Sequence, residues 1–580
     1  MGFLPSELIG GDLVWLFDFI VKDNTLRFAR VPVAATMPDG TVRDYMQGLE
    51  FSEELEDAIN PFGASPSERS VEISLHASLI VDVAKEIMKG YDLAAARGKL
   101  WLYEKNSKSA VLFLDGVVRG VEFGGIEEPV TFSLEEVIAD DAGLFPPVLA
   151  VIDPVSWPDA AEECRGERYP WIFGSPGKDY ADSANVGFGY GSPAYLVKKS
   201  ATQKLLIAGH HVAASQVTVM CDETGTFNPT CTVENTFDGH GNEVALCIVG
   251  ATGSGGGGVA ETDDTFFVKW HNTGVTEAAG VMHPDRSALV GAGDVLRFML
   301  KFSRMRIDHG RLAAAIPLLN QYRIDAAICC APEKRFTPWE WIEDHLHSVL
   351  PISWRVSVGE LGGHYPVVWR FDASSHDAVA HITASAEPHA ADSLNRHREL
   401  THGNAHREGR VSFSSRSDVA NQFTIEYQND YKDGAHWGSK TLTGDQDLIS
   451  ASSDLDVGSN FYCHISRTRY RNADNLPQTV AMQIASDVIW SDGTAAAVIS
   501  WLSRKHAIQS LFVSYIVNAE VACHLEPGDV ITVTDAELEF QEYLFMVEQI
   551  TWRSDRFLAL DLRSLVDAAR DMHGAEGMDH

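Results

Sequence analysis

Basic residues are scarce in this sequence, and the imbalance limits what the protein can bind. The 580 residues include 46 Lys and Arg against 81 Asp and Glu, which gives a formal net charge of −35. Because affinity for nucleic acid depends on neutralising phosphates with Lys and Arg, we expect no broad nucleic-acid-binding face. Most of the acidic side chains are expected on a solvated surface.

Long apolar runs are also absent. No stretch approaches the roughly 20 apolar residues that cross a bilayer as a helix, and the mean hydropathy is −0.09. Residues 1–11 contain no Lys or Arg, unlike the start of a secretory signal. We therefore predict no membrane-spanning segment and no secretory leader. Hydrophobic residues still make up 45% of the chain, and the length suggests about three to five domains with cores of their own.

The eight cysteines form no CxxC pair and no regular framework. Reduced, buried thiols are the favoured interpretation, and a bridge between Cys221 and Cys231 across a hairpin is the alternative. The adjacent Cys329 and Cys330 favour packing in a strand.

Recognisable catalytic motifs are missing as well. HExxH, GxSxG, a Walker-type loop and zinc-finger cysteine spacing do not occur. The glycine run at 251–258 lacks the Lys-Ser or Lys-Thr of a phosphate-binding loop, so it favours a flexible loop tip. Adjacent acids such as Glu162-Glu163 and Asp263-Asp264 are inevitable among 81 acidic residues and do not identify a glycosidase-like pair. We predict no catalytic residue and no cofactor.

One segment is rich in histidine and supplies the metal candidates. His402 and His406 are four residues apart, so on a helix they would share a face and, with a carboxylate, could hold zinc or another divalent ion. Gly403 and Asn404 disfavour a helix there, and an exposed polar loop is the favoured interpretation. The histidine-rich segment is the 31 residues 376–406, which contain His376, His381, His389, His397, His402 and His406.

Two tryptophans, Trp339 and Trp341, lie two positions apart. They could stack on a sugar or a base, but a place in the core beneath the neighbouring helix is favoured for Trp339. The helix itself is predicted by Thr337-Pro338-Trp339-Glu340, which combines a capping threonine, proline at the first helical position and glutamate three residues after the cap. It should end near Leu350, before Pro351.

Elsewhere, local patterns predict many short strands and a few helices. Asp115-Gly116 is typical of a tight turn and predicts a hairpin between strands 111–114 and 117–123. Apolar residues at helical spacing predict a helix beginning near Asp294 and a second one at 312–319. Further predicted elements are short strands within 12–28, at 41–48, 71–75, 100–103, 130–134, 354–358, 365–371, 512–517, 530–534, 543–550 and 557–562, several strands across 195–249, and helices at 80–88 and 494–502.

Several segments together resemble the baseplate or tail-tip hub proteins of long-tailed bacteriophages. Each is short, and together they cover about two-thirds of the chain. They are TLRFARVPVAATMPDG at 25–40, RSVEISLHA at 69–77, LDGVVRGVEF at 114–123, VTFSLEE at 130–136, YPWIFGSPG at 169–177, PAYLV at 193–197, the α+β segment 324–354 and LEPGDVITVTD at 525–535.

With this resemblance, the expected fold is mainly β with α+β parts, in several domains. Two tube-type, β-barrel-like domains are expected, with a small α+β domain and a β-rich insertion. The expected boundaries are 1–145 for the first tube-type domain, 146–200 for a connector, 201–290 for the insertion with its glycine-rich loop, 291–375 for the α+β domain, 376–410 for a histidine-rich loop, 411–570 for the second tube-type domain and 571–580 for a frayed tail.

The resemblance implies a structural role in a virion. Such hubs are typically trimers that adapt a sixfold tail tube to a threefold fibre or spike and enclose the DNA exit channel. The implied partners are further copies of the chain, the distal tail protein ring, the tail tube, the central fibre or spike and the tape measure protein. An acidic lumen would let DNA pass without binding, because it repels phosphate. The iron–sulfur cysteine cluster seen beside some hubs is not evident, since Cys463 and Cys523 stand apart.

Two other functions stay open at this point. One is a tail-associated cell-wall hydrolase with unrecognised carboxylates, and the other is a glycan-binding adhesin with exposed Trp and Tyr side chains. The stretches 202–290 and 376–410 have no counterpart in the resemblance. Hydrolase carboxylates are expected in 202–290, and glycan-binding side chains in either stretch. Assembly in the bacterial host cytoplasm and later life in the tail tip of a virion are the expected locations.

Overall fold

The chain folds into several β-sheets and one mixed helical region. The computed structural model describes residues 13–22, 24–51, 55–58, 70–76, 96–123, 129–136, 143–177, 190–199, 202–222, 225–250, 265–270, 281, 283, 285, 287–331, 334–357, 363–371, 373–385, 405–443, 457–471, 476–552 and 557–565.

The strands in these ranges are β1 Leu13–Val21, β2 Asn24–Ala29, β3 Val33–Thr36, β4 Val42–Gln47, β5 Leu49–Phe51, β6 Leu55–Ala58, β7 Ser70–Leu75, β8 Arg97–Glu104, β9 Ser109–Phe123, β10 Val130–Glu136, β11 Trp171–Phe173, β12 Ser192–Lys198, β13 Thr202–Ala208, β14 Gln216–Cys221, β15 Gly225–Phe237, β16 Glu243–Gly250, β17 Phe266–Lys269, β18 Ala326–Ile328, β19 Ile352–Val356, β20 His364–Val368, β21 Ala380–Ser385, β22 Ala405–Phe413, β23 Gln422–Asn429, β24 His436–Thr443, β25 Ala481–Ala485, β26 Leu511–Asn518, β27 Val530–Asp535, β28 Phe540–Trp552 and β29 Phe557–Ser564. The α-helices are α1 Ala292–Leu300, α2 His309–Leu319, α3 Pro338–Trp341, α4 Val457–Arg469, α5 Asp492–His506 and α6 Ala519–Ala522.

The first sheet contains nine strands in the order β3-β4-β2-β1-β8-β9-β10-β7-β5. Strand β1, next to the central strand β8, has the almost entirely apolar sequence LVWLFDFIV, since both of its faces are covered. The predicted alternation in β7 and β10 is confirmed: Val71, Ile73 and Leu75 are buried, as are Val130, Phe132 and Leu134.

The predicted turn at Asp115-Gly116 is wrong, because both residues lie inside the 15-residue strand β9. Asp115 is held in the sheet by Arg97, whose guanidinium lies 2.8 Å from its carboxylate across the strand pair. The turn comes earlier, at residues 105–108, where the Glu104 carboxylate accepts a hydrogen bond from the backbone N–H of Asn106 at 2.8 Å. Gly116 is needed for close backbone approach: an added Cβ would lie 2.4 Å from the carbonyl oxygen of Glu135.

Replacing Gly116 with Ala should therefore destabilise the first sheet by about 1–2 kcal/mol, because β10 must move to admit the methyl group. The matched control is Gly120→Ala in the same strand, where an added Cβ meets nothing within 4 Å. Thermal unfolding followed by circular dichroism should show a lower midpoint for the first variant and an unchanged one for the second. Equal midpoints for the two variants would contradict this account of Gly116.

The last sheet closes on itself. Its strands run β27-β21-β22-β26-β29-β28, and β27 also pairs with β28. The four predicted strands of this region are confirmed as β26, β27, β28 and β29. Strand β26 alternates buried and partly accessible side chains, whereas the other three contain runs of buried residues. The interior of this sheet includes Tyr515, Phe545 and Leu560, all fully buried.

A second closed barrel lies in the middle of the chain, with the strand order β12-β13-β16-β15-β14-β17. The β-pattern predicted across 195–249 is confirmed, whereas the glycine run 251–258 lies outside the described residues. Cys231 and Cys247 form a disulfide between the neighbouring strands β15 and β16, with their Cα atoms 5.9 Å apart. The expectation of reduced thiols is wrong for these two residues. The alternative Cys221–Cys231 bridge is also wrong, since Val217 rather than Cys221 lies opposite Cys231.

The disulfide predicts a simple labelling result. Six of the eight cysteines are free thiols, so protein denatured without reductant should take up six equivalents of a thiol reagent. After reduction it should take up eight. Peptide mass spectrometry should assign the two additional sites to Cys231 and Cys247, and eight equivalents before reduction would show that the bridge is absent.

The helical region has its own core, which includes buried residues of α1, α2, α3, α5 and the three-stranded sheet β24-β23-β25. Helix α1 packs on α2 and α3, and α5 packs on β23 and β24. The helices predicted near Asp294, at 312–319 and at 494–502 are confirmed, the second with Pro317 inside it. Thr337 forms the predicted capping box with Glu340. The helix that follows changes to a π-helical turn, Ile342–Leu346, and ends close to the expected residue.

The predicted fold class, mainly β with α+β parts in several domains, is confirmed. The domain boundaries stay a prediction. Within the described ranges, no helix has the length and apolarity needed to cross a membrane.

Candidate assembly site between the first and last sheets

A short strand joins the two ends of the chain. Strand β6 follows the first sheet's edge strand β5 in sequence, but it pairs antiparallel with the end of β28, so that Leu55 lies opposite Trp552 and Ala58 opposite Gln549. The last sheet therefore includes a strand contributed by the first region. Backbone hydrogen bonds across this pair fix how the two sheets are oriented.

The two sheets also share one hydrophobic core. Trp15 of β1 lies edge-to-face with Trp552 of β28, with ring centroids 5.4 Å apart. Phe113 of β9 also packs edge-to-face with Trp15, with ring centroids 5.0 Å apart. One continuous set of buried residues extends from these rings to Tyr515 and Phe545 in the last sheet. Because one set of buried residues and strand β6 join the first and last regions, we call the two together the paired-sheet unit.

The opposite face of the first sheet is covered by the β3–β4 hairpin and contains a buried acid. Asp18 is 1% exposed. One carboxylate oxygen accepts a hydrogen bond from the Trp101 indole at 3.2 Å and lies 3.4 Å from Arg43, while the other lies 3.7 Å from Arg27. Burial raises the pKa of Asp18. The sequence carried a signal for this site, because a single acid interrupts the apolar strand β1.

The edge strands of the first sheet are β3 and β5. Each of them pairs with one neighbouring strand among the described residues. Beside β3, the exposed fractions of Val42 and Met46 are 66% and 45%. Exposed edge strands with apolar side chains are sites where another chain can pair. This edge is the candidate surface for contact between copies.

An ionic cluster connects the helical region to the last sheet. Glu526, which precedes β27, accepts hydrogen bonds from both terminal nitrogens of Arg311 in α2, one of them at 2.6 Å. Arg355 of β19 lies 3.5 Å from the same carboxylate, and its side chain is 2% exposed. The Tyr365 hydroxyl accepts a hydrogen bond from each of the two arginines at 3.0 Å. The cluster fixes the helical region against the paired-sheet unit.

A second acid, Asp529, lies in the same turn. Its carboxylate accepts a hydrogen bond from the backbone N–H of Glu526 at 2.7 Å. Burial raises the pKa of Asp529 to about 6, and the negative charge of Glu526 acts in the same direction, against the hydrogen bond and Arg355. The two arginine partners of Glu526 could not be predicted from local patterns, because both are more than 150 residues away.

The predicted metal pair stays a prediction, because one of its two members is not described. His406 lies in strand β22, and His402 lies outside the described residues. His381 in β21 contacts Thr532 through a 2.8 Å hydrogen bond. In the part of the chain that the structure describes, no group of three or more His, Cys, Asp or Glu side chains is arranged to hold a metal ion.

The remaining candidates have structural contacts. Trp341 is buried, whereas Trp339 is half-buried, packs against Trp354 with centroids 4.6 Å apart and donates a hydrogen bond to Glu343. Glu162 and Glu163 lie in a short 3-10 helix, and Asp263 and Asp264 lie outside the described residues.

No protein-family model and no curated protein matches the chain. Solved structures do align with it over most of its length. The tail protein from Neisseria meningitidis MC58 is 9% identical, with a TM-score of 0.35 over 95% of this chain and 97% of that chain. A 43 kDa tail protein of prophage MuSo2 from Shewanella oneidensis is 8% identical, with a TM-score of 0.34 over 96% and 99% of the two chains. A chain in the virion of a native gene transfer agent particle is 8% identical, with a TM-score of 0.34 over 70% and 86%.

Proposed function

We propose that this protein is a structural virion protein, the baseplate hub of a phage tail. Three copies form a ring that joins the tail tube and the distal tail ring to a central fibre or spike. The ring surrounds the channel through which DNA leaves, and the tape measure protein ends near it. The chain acts as a scaffold and has no catalytic step in this role.

The paired-sheet unit is the observation that carries the proposal. Strand β6 and the shared core hold the first sheet and the last sheet of one chain in a fixed arrangement, and each sheet counts here as one unit. A ring of three such chains contains six units, which is the number needed to face a hexameric tail ring. Because the arrangement is fixed within each chain, the six units keep a regular spacing.

Two further features support the ring. The edge strands β3 and β5 of the first sheet offer backbone groups to a neighbouring copy. The net charge of −35 suits a channel that DNA must traverse without binding, since an acidic wall repels phosphate.

The test is the mass and symmetry of the purified chain. Light scattering should give three times the chain mass of 63.6 kDa, and two-dimensional electron-microscopy averages should show a threefold ring with a central opening. A ring of another order, or a monomer that stays monomeric with its tail partners, would overturn the proposal. In that case clearing of peptidoglycan by the wild-type protein would point to a hydrolase, and glycan binding without clearing to an adhesin.

A further inference from the structure

A cavity follows the short strand β18, between α3, the end of β23 and the segment before β12. Its volume is about 730 Å³, a size typical of ligand pockets. The six consecutive residues 326–331 all line it. Because the side chains of a strand alternate between its two faces, a continuous run of lining residues indicates that the cavity lies along the edge of the strand. We call it the β18 cavity.

The other sides of β18 are covered by the protein itself. Ala326 and Ile328 belong to the core of the helical region, and Ala327 packs against the core of the middle barrel. Strand β11 covers one edge, with Ile172 opposite Ala327. The second edge has no neighbouring strand among the described residues, and the cavity lies on this side.

Hydrogen bonds of Ile172 show which backbone groups of β18 point to the cavity. Its N–H donates to His210 at 2.9 Å, and its carbonyl oxygen accepts from the N–H of Val281 at 2.7 Å. Neither group is therefore turned towards β18. In an antiparallel pair, hydrogen-bonded and non-hydrogen-bonded positions alternate, so Ala327 opposite Ile172 also directs its N–H and C=O away from β11.

The residues two positions before and after Ala327 follow the same alternation. Asp325 donates its N–H to the carbonyl oxygen of Val488 at 2.9 Å, on the side away from β11. Cys329 presents its N–H and C=O on that side as well. Ala327 and Cys329 line the cavity and are partly accessible, and in the described ranges their backbone groups have no hydrogen-bond partner. A strand edge of this kind can pair with an extended peptide.

The facing wall offers aromatic rings and carboxylates. Tyr431 is 38% exposed and Phe336 is half-buried. Asp344 is exposed, and the Asp487 side chain is 48% exposed. Carboxylates attract a Lys or Arg side chain, and the faces of aromatic rings do so too. The wall therefore fits a peptide that carries apolar and basic side chains.

The basic residues of the lining do not reverse this preference. Lys334 and Arg335 line the cavity, and with Glu340 the acids outnumber them by three to two. Arg335 already donates from Nε and Nη2 to the backbone carbonyls of Pro146 and Leu144. The net charge of the lining favours a basic partner.

We propose that the β18 cavity receives an extended segment of a different protein. The segment pairs as an added strand with Ala327 and Cys329 and places a Lys or Arg side chain against Asp344 and Asp487. A second copy of this chain is a poorer occupant, because each copy has a net charge of −35 and like charges repel. A small molecule would not match the repeat of backbone groups along the edge.

The test is affinity selection on the full chain with a positional-scanning library of capped hexapeptides, read by mass spectrometry. Pools with Lys or Arg at a central position should be enriched about tenfold over pools with Asp or Glu there, the ratio that corresponds to 1.4 kcal/mol. The best peptide is then made in two forms, methylated at one or the other set of alternate backbone nitrogens. One form should lose binding and the other should keep it, because only every second N–H of an added strand faces β18.

Two variants locate the binding on the protein. Ala327→Pro removes an N–H that the sheet does not use, a place where an edge strand tolerates proline, and should weaken binding about tenfold. Asp344→Asn changes an exposed side chain and should weaken binding of the basic peptide about threefold. The matched control for Asp344→Asn is Glu163→Gln, since Glu163 is also exposed and does not line the cavity. The control should bind like the wild type.

Three results would overturn the proposal: no enriched pool, enrichment of acidic pools, or equal binding of the two methylated forms. Self-association of the wild type that disappears in Ala327→Pro would assign the edge to a second copy and contradict the choice of a different protein. If Ala327→Pro does not fold, the methylated peptides and Asp344→Asn still decide. Because peptide binding is measured on the isolated chain, its failure would leave the proposed ring untouched.

Discussion

Glu526→Gln is expected to loosen the junction between the helical region and the last sheet. Glu526 is the carboxylate that Arg311 and Arg355 share, and the Arg355 side chain is 2% exposed. Removing one partner of a buried ionic cluster leaves charge in a poorly solvated place, with a typical cost of about 3–5 kcal/mol. Asp529, in the same turn, offsets part of the lost charge, so we expect the free energy of unfolding to fall by about 3–4 kcal/mol.

Hydrogen exchange read by mass spectrometry measures this loss where it occurs. Peptides that cover β19 and β27 should exchange faster in Glu526→Gln, whereas peptides of the middle barrel should be unchanged. The matched control is Glu135→Gln, which removes the surface pair with Arg119, whose side chains are 31% and 67% exposed. An exposed pair contributes less than about 1 kcal/mol. Similar exchange in the two variants would show that the junction does not depend on Glu526.

The elements that were predicted correctly have signals within a few residues. Alternation identified β7 and β10, and the capping pattern at Thr337 located α3, because burial of one face and satisfaction of a helix end are local requirements. Gly116 shows the limit of such signals. Asp-Gly is typical of turns, but the decisive contacts of this pair are with Arg97 and Glu135 on neighbouring strands.

The candidate sites depended on longer-range contacts and were not predicted. Pairing of β6 with β28 joins residues almost 500 positions apart, and a four-residue strand has too little pattern to identify its partner. Arg311 and Glu526 are 215 residues apart. For Asp18, in contrast, a local signal existed, since an acid within a wholly apolar strand must be paired or hydrogen-bonded when the strand is buried.

Asp529→Asn is expected to stabilise the protein at neutral pH and to have no effect in acid. Burial raises the pKa of Asp529 to about 6 from an ordinary value of 3.8. Between these two values the folded protein binds more protons than the unfolded chain, so the free energy of unfolding falls as the pH rises. A shift of this size corresponds to about 2–3 kcal/mol, lost progressively from about pH 4 to pH 6 and absent above that range. Asparagine is neutral throughout and retains an oxygen that can accept the hydrogen bond from the Glu526 backbone.

Urea unfolding of the wild type and of Asp529→Asn from pH 4 to pH 8 separates this effect from other titrating groups. The groups that face Asp529 are Glu526 and Arg355, and both are present in the two proteins, so the difference between the unfolding free energies isolates residue 529. That difference should be near zero at pH 4 and grow to a plateau above about pH 7. A difference that is constant with pH would assign the effect to packing instead. In a Glu526→Gln background the rise should move to lower pH, because the neighbouring negative charge that helps to raise the pKa of Asp529 is gone.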